Sequence, residues 1–218
     1  MIFFDAMTGF MSKGGIIMIP ILICSILALA LFVERLIYFG KMKYQGKGIE
    51  STIISFLDQG QEEEALKTAK QSTSPMGRVL SAAMEVKHTD RETLETVIID
   101  AIEEEVRDLS ANTQALATIG NIAPLLGLLG TVIGMIKAFM LIQEMGGKVN
   151  AAVLAGGIWE AMLTTAFGLA VALPTMMAHS YLVAGVDRYE ARLQRGSVKF
   201  IKSLSTRNTI LKDRKSVV

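Results

Sequence analysis

From residue 151 to residue 186 the chain reads AAVLAGGIWEAMLTTAFGLAVALPTMMAHSYLVAGV, and Glu160 is the one Asp, Glu, Lys or Arg in it. A helix needs ~20 mostly apolar residues to cross the ~30 Å hydrocarbon core of a bilayer. This run is longer than that, so it predicts a spanning helix that projects into water at one end. Two further runs support the same reading. One extends from Ile16 to Phe39 and is uncharged until Glu34 and Arg35; the other extends from Leu116 to Ile142 and is interrupted only by Lys137. Across 218 residues the chain is 51% hydrophobic with a mean hydropathy of +0.42, outside the range of soluble domains.

Positive charge is retained on the cytoplasmic side of a membrane, so the Lys and Arg between the runs set the orientation. Residues 1–15 carry only Lys13 and residues 143–154 only Lys148, whereas residues 40–115 carry nine basic residues and the tail after residue 186 another nine. The expected protein is an all-α integral membrane protein with three transmembrane helices, the second and third extending into the cytoplasm as long helices. Its expected segments are a periplasmic N-terminus (1–15), a first span (16–39), a cytoplasmic helical region (40–115), a second span (116–142), a periplasmic loop (143–154), a third span (155–181) and a cytoplasmic tail (182–218). A cleavable signal peptide is the rival reading of the first run, since Ala28-Leu29-Ala30 loosely resembles a cleavage site. The run exceeds the about 7–15 apolar residues of a signal core and its flank is barely basic, so a retained span is expected.

The net charge of +1 gives no argument for nucleic acid, and the basic tail suits topology and anionic lipid. Cys24 is the single cysteine and cannot form an internal disulfide. Residues 40–115 look helical throughout: QEEEALKTAK at 61–70 places acids before bases at helical spacing, and Ser74-Pro75 marks a break before the next helix. From Glu92 to Leu116, apolar Leu94, Val97, Ile98, Ile102, Val106 and Leu109 recur every three or four residues among acids. No Gly or Pro precedes Gly120, so this helix is expected to run straight into the second span. The tail from Asp187 to Leu204 carries Tyr189, Leu193, Val198 and Ile201 among bases and is expected beside it.

Glu160 is the most informative residue. A charge near the centre of a span costs about 2.5–3.5 kcal/mol on insertion scales, so such a residue faces a cavity or a partner, or else snorkels to the surface. At 3.6 residues per turn Gly157, Thr164, Gly168, Val171 and Thr175 share its side of the helix, a small and polar stripe on an apolar rod; Thr165 points about 140° away. In the second span Gly130, Gly134 and Ala138 repeat at four-residue spacing, a surface for close helix approach, and Thr131 sets one hydroxyl near mid-span. Pro124 and Pro174 each remove a backbone hydrogen bond, with a static kink as the simpler reading. Lys137 can snorkel to headgroups, the preferred reading, or pair with Glu160, which would argue against proton traffic through that acid. His88 and His179 are solitary and lack ligand spacing for a metal, and no nucleophile–base set or phosphate-binding glycine loop is visible, so neither an enzyme nor a cofactor is expected.

APLLGLLGTVIGM at 123–135 and EAMLTTAFGLAVALP at 160–174 closely resemble the two membrane signatures of the MotA/TolQ/ExbB proton-channel family, which Glu34-Arg35 and the charge layout also match, and the three-span plan with a modest cytoplasmic loop resembles its ExbB/TolQ branch. The resemblance implies a homopentamer around two single-span ExbD- or TolR-like subunits, each supplying an aspartate, with a TonB- or TolA-like transducer beyond. It implies that Thr131 and Thr165 line the proton pathway with Glu160 as the membrane acid; Thr164, Gly130, Gly134, Gly168, Pro124 and Pro174 are the further candidates for pore or packing that helix geometry supplies. Where many members carry a small or polar residue, this chain has Lys137. The class alternative is a non-conducting membrane scaffold that anchors a partner protein.

Overall fold

The computed structural model describes residues 15–45, 48–146 and 151–216, with the side chains of 43–45, 151–153 and 207–216 outside the description. All the regular elements among them are helices: α1 (Met18–Gln45), α2 (Ile49–Asp58), α3 (Glu62–Gln71), α4 (Pro75–Glu85), α5 (Arg91–Ser110), α6 (Thr113–Glu144) and α7 (Ala151–Ser216). Three are long and apolar enough to cross a membrane, through Met18–Met42, Thr113–Glu144 and a stretch within Leu154–Thr206. An isolated apolar stretch in hydrocarbon must satisfy its own backbone, and a helix does so within one segment. The expected periplasmic segment 1–15 and the middle of the 143–154 loop fall largely outside the described residues.

The chain forms two compact units: residues 1–34 with 112–181, and residues 35–111 with 182–218. In the first unit α6 and α7 meet through residues without bulk. A Cβ on Gly127 would stand 2.9 Å from Thr165 Cα, one on Gly134 3.1 Å from Ala161 Cβ, and one on Gly168 2.6 Å from the Ala123 carbonyl oxygen. Without a hydrophobic driving force between helices in lipid, such close packing is what holds a helix pair together. The four-residue repeat Gly130, Gly134, Ala138 is therefore a face for α7 of the same chain.

The second unit has an ordinary hydrophobic core. Ile53, Leu57, Val79, Leu80, Leu94 and Ile98 pack with Leu193 and Phe200 of α7, all nearly sealed from solvent. Local signals set the helix starts: the Ser74 hydroxyl accepts from Gly77 N–H at 3.2 Å with Pro75 in the first turn, and the Asp90 carboxylate accepts from Thr93 N–H at 2.9 Å. Those two Thr93 bonds, from its amide and its hydroxyl, hold the Asp90 carboxyl below the usual range. Against the expectation of one helix from Glu92 into the second span, α5 stops at Ser110. Asn112 takes φ 62°, and α6 begins at Thr113. Asn is among the few residues that enter the left-handed region readily, so it breaks the helix without glycine or proline. The Arg35 guanidinium donates to the Asp108 carbonyl at 3.1 Å and lies 5.3 Å from the Tyr38 ring. That carbonyl, one of the last of α5, also accepts from Ala111 N–H at 3.4 Å, so the guanidinium adds a charged donor at the negative end of the helix.

Within this unit the acidic helix meets the tail through apolar side chains, Leu109 and Val186 packing with Val106 and Tyr189. Glu105, buried at 6% exposure, is bound in fork geometry by the half-exposed Arg78 guanidinium. That pairing raises the Arg78 pKa further, against a smaller opposing effect of burial.

Candidate functional site in the three-span unit

The site is the crossing of α6 and α7, and the residues that let the helices approach also fix where its hydroxyls go. Gly127, having no side chain, admits Thr164 and Thr165 against its backbone. Thr165 Oγ1 donates to the Gly127 carbonyl across the interface at 2.9 Å. Thr164 Oγ1 donates to Ala161 within its own helix at 2.7 Å and reaches the same Gly127 carbonyl at 3.4 Å. On the facing helix Thr131 Oγ1 donates to the Leu128 carbonyl at 2.6 Å, and further along α7 Thr175 Oγ1 donates to Val171 at 2.7 Å.

Each of these hydroxyls gives its proton to the main chain, so what it offers a neighbour is an oxygen lone pair. Burial separates them. Thr164 and Thr175 are sealed, at 1% and 5% exposure, while Thr131 and Thr165 remain half-buried. Thr164, Gly130, Gly134 and Gly168 thus lie in the packed interface, whereas Thr131 and Thr165 are only half-buried and each oxygen retains lone pairs. Pro124 is half-buried in α6; Pro174 is exposed on α7 and lines an apolar cavity of about 540 Å³ with Met18, Ile21, Phe32 and Phe167.

Glu160 lies about three turns into α7, beside exposed Trp159. Of the two readings of Lys137 the structure shows the pairing: its ammonium lies 3.2 Å from Glu160 Oε1. Lys137 on α6 and Glu160 on α7 sit on the adjoining faces that the glycine contact brings together. A third participant gave no sequence signal. Gly15, with φ 67°, packs so closely that a Cβ on it would overlap Glu160 Oε1 and stand 3.6 Å from Lys137 Nζ.

Membrane-length helices, a glycine-built helix pair and two half-buried threonines define a multi-pass helical membrane protein with a polar seam inside an apolar unit. The chain belongs to the MotA/TolQ/ExbB proton channel family, which its residues 71–195 match. It is 33% identical to the protein named ExbB-like 1 of Synechocystis sp., over 79% of this chain and 68% of that protein. It is 31% identical to the biopolymer transport protein exbB1 of Vibrio cholerae, over 83% of this chain and 80% of that one. With the biopolymer transport protein ExbB of Salmonella typhimurium the identity is 28%, over 81% and 75%. These relatives place the chain in the ExbB-type branch of transport-related proteins.

Proposed function

We propose that the chain is the channel-forming, stator-like subunit of a bacterial inner-membrane motor that couples the proton-motive force to work on a cell-envelope partner. In this reading it forms a closed homo-oligomer, a pentamer, around a pair of ExbD- or TolR-like single-span subunits, and a TonB- or TolA-like transducer receives the work. The N-terminus lies in the periplasm and the C-terminus in the cytoplasm, as the distribution of basic residues implies.

The observation that carries this reading is the pair Thr131 and Thr165. Their hydroxyl protons are engaged by carbonyls while the residues themselves stay half-buried rather than sealed. Such oxygens accept a hydrogen bond from water or from a protonated carboxyl on a partner helix and lose that bond when the carboxyl ionises, so they sense the protonation state of a passing acid. The moving carboxyl is assigned to the partner, because Glu160 is the one acid well inside a span and it is already paired. Each proton crossing 100 mV releases about 2.3 kcal/mol, so work at the envelope draws on several protons.

The test is the double variant Thr131→Val/Thr165→Val, which keeps shape and removes both oxygens. Co-expressed with an ExbD- or TolR-like subunit, it is expected to assemble at wild-type size and to lose partner-dependent proton flux and motor output. Full flux in the assembled variant would remove the hydroxyls from the mechanism. Absence of partner-dependent flux in the wild type would favour the scaffold.

A further inference from the structure

In the first unit, three elements far apart in sequence converge on one ion pair. Lys137 is the only basic residue of α6, and Glu160 the only acid of α7 before Asp187. α6 carries one further charge, Glu144 at its last residue, and Lys137 and Glu160 face each other at 3.2 Å across the helix crossing. The pair is seated against the turn that starts α1. Gly15 accepts there from Met18 N–H at 3.2 Å and holds φ 67°, and the space a side chain would fill is taken by the Glu160 carboxylate. Side-chain exposure of 28% for Glu160 against 54% for Lys137 shows the carboxylate as the more enclosed partner. A carboxylate in such a place is held by its counter-ion, and removing the lysine leaves the acid without the partner it faces.

We propose that Lys137 is the fixed counter-charge of Glu160 and Gly15 its seat, so that Glu160 is an ionised strut tying the start of α1 to the α6–α7 pair and does not carry protons. Lys137 is a positioning residue: it acts by holding Glu160 in one charge state and one rotamer. Gly15 is required twice over, by its left-handed backbone and by the absence of a Cβ. The inference rests on the three helices lying in a bilayer, and it sharpens the proposed function by leaving the mobile carboxyl to the partner subunit.

The experiment is infrared difference spectroscopy on the full-length chain in lipid nanodiscs, comparing wild type with Glu160→Gln to isolate the Glu160 band. The wild type is expected to show an ionised carboxylate. In Lys137→Met that band should be lost and replaced by the carbonyl stretch of a protonated carboxyl, while Lys137→Arg keeps it ionised. A protonated Glu160 in the wild type, or an ionised one in Lys137→Met, overturns the proposal. Should Lys137→Met fail to accumulate, charge exchange decides: Lys137→Glu should lose membrane recovery and Lys137→Glu/Glu160→Lys regain it, and a swap no better than the single variant overturns the pairing. Motor function is read separately. A wild type with no partner-dependent proton flux but an ionised, Lys137-dependent Glu160 would defeat the proton-channel reading and leave the strut in place.

Discussion

Two glycines of α7 make opposite demands, and replacing each with alanine measures the difference. A Cβ on Gly168 would stand 2.6 Å from the Ala123 carbonyl oxygen and 3.1 Å from Gly127 Cα, both main-chain atoms that no rotamer change can move away. Carbon contacts are most favourable at about 3.5–4.0 Å, so α6 and α7 must part by several tenths of an ångström. Overpacking of this kind costs about 1–3 kcal/mol. Alanine returns about 1 kcal/mol of helix propensity, leaving a net destabilisation of up to about 2 kcal/mol. At about 2–4 °C per kcal/mol for a chain of this size, Gly168→Ala should lower the apparent Tm by up to about 8 °C. Gly156 meets nothing within 4 Å, so Gly156→Ala has only the propensity gain and should hold or raise the Tm. The assay is thermal loss of the monodisperse peak of detergent-solubilised protein in size-exclusion chromatography. Gly168→Ala at or above wild type would show that the helices do not meet at the distance described and refute the argument.

Four other outcomes are expected. Maleimide labelling of intact cells should reach a cysteine at Gln143 and not one at Lys202, and the reverse would invert the proposed orientation. Arg78→Met leaves the buried Glu105 carboxylate without its fork and should cost about 1.5–3 kcal/mol in chemical denaturation, less than a fully enclosed pair because the guanidinium is half-exposed. Ser74→Ala removes the cap of α4 and should cost about 1 kcal/mol, with Ser74→Asp recovering most of it; equal losses in both would discount the cap. Because the Asp90 carboxyl is held below its ordinary range in the fold, its stabilising contribution is present above that range and fades as the pH falls through the lowered value. Asp90→Asn should therefore keep the cap at neutral pH and flatten the acid limb of stability, and an unchanged acid limb would count against the Thr93 contacts.

Most of the architecture was legible because the decisive signal is length. Runs such as 116–142 outlast any soluble core helix, and once three are found the helical class follows from backbone satisfaction in lipid. The α5–α6 junction is not legible from Gly and Pro, because Ala111-Asn112-Thr113 holds instead a residue that tolerates positive φ directly before a helix start. The spacing Gly130, Gly134, Ala138 correctly identified a surface for close approach, but periodicity is a property of one helix and does not name its partner. Here the partner is α7 of the same chain, through Thr164, Ala161 and Gly157. Gly130→Leu is therefore expected to break this internal hairpin before any contact between copies is tested.

The hydroxyls show the same boundary at the scale of single atoms. Composition placed Thr164 and Thr165 together on α7, and helical geometry put them on different faces. Only the approach of Gly127 shows that the first is sealed in the interface while the second bridges it and stays half-buried. Lys137 and Glu160 carry the argument one step further. Two opposite charges in neighbouring spans can each solve their solvation problem alone, by reaching for headgroups, or jointly, by pairing. Which occurs depends on the rotation of each helix about its axis, and that rotation is fixed by glycine contacts elsewhere along the crossing. The space beside Gly15 then admits the carboxylate, so a residue outside both spans helps set where the membrane acid sits.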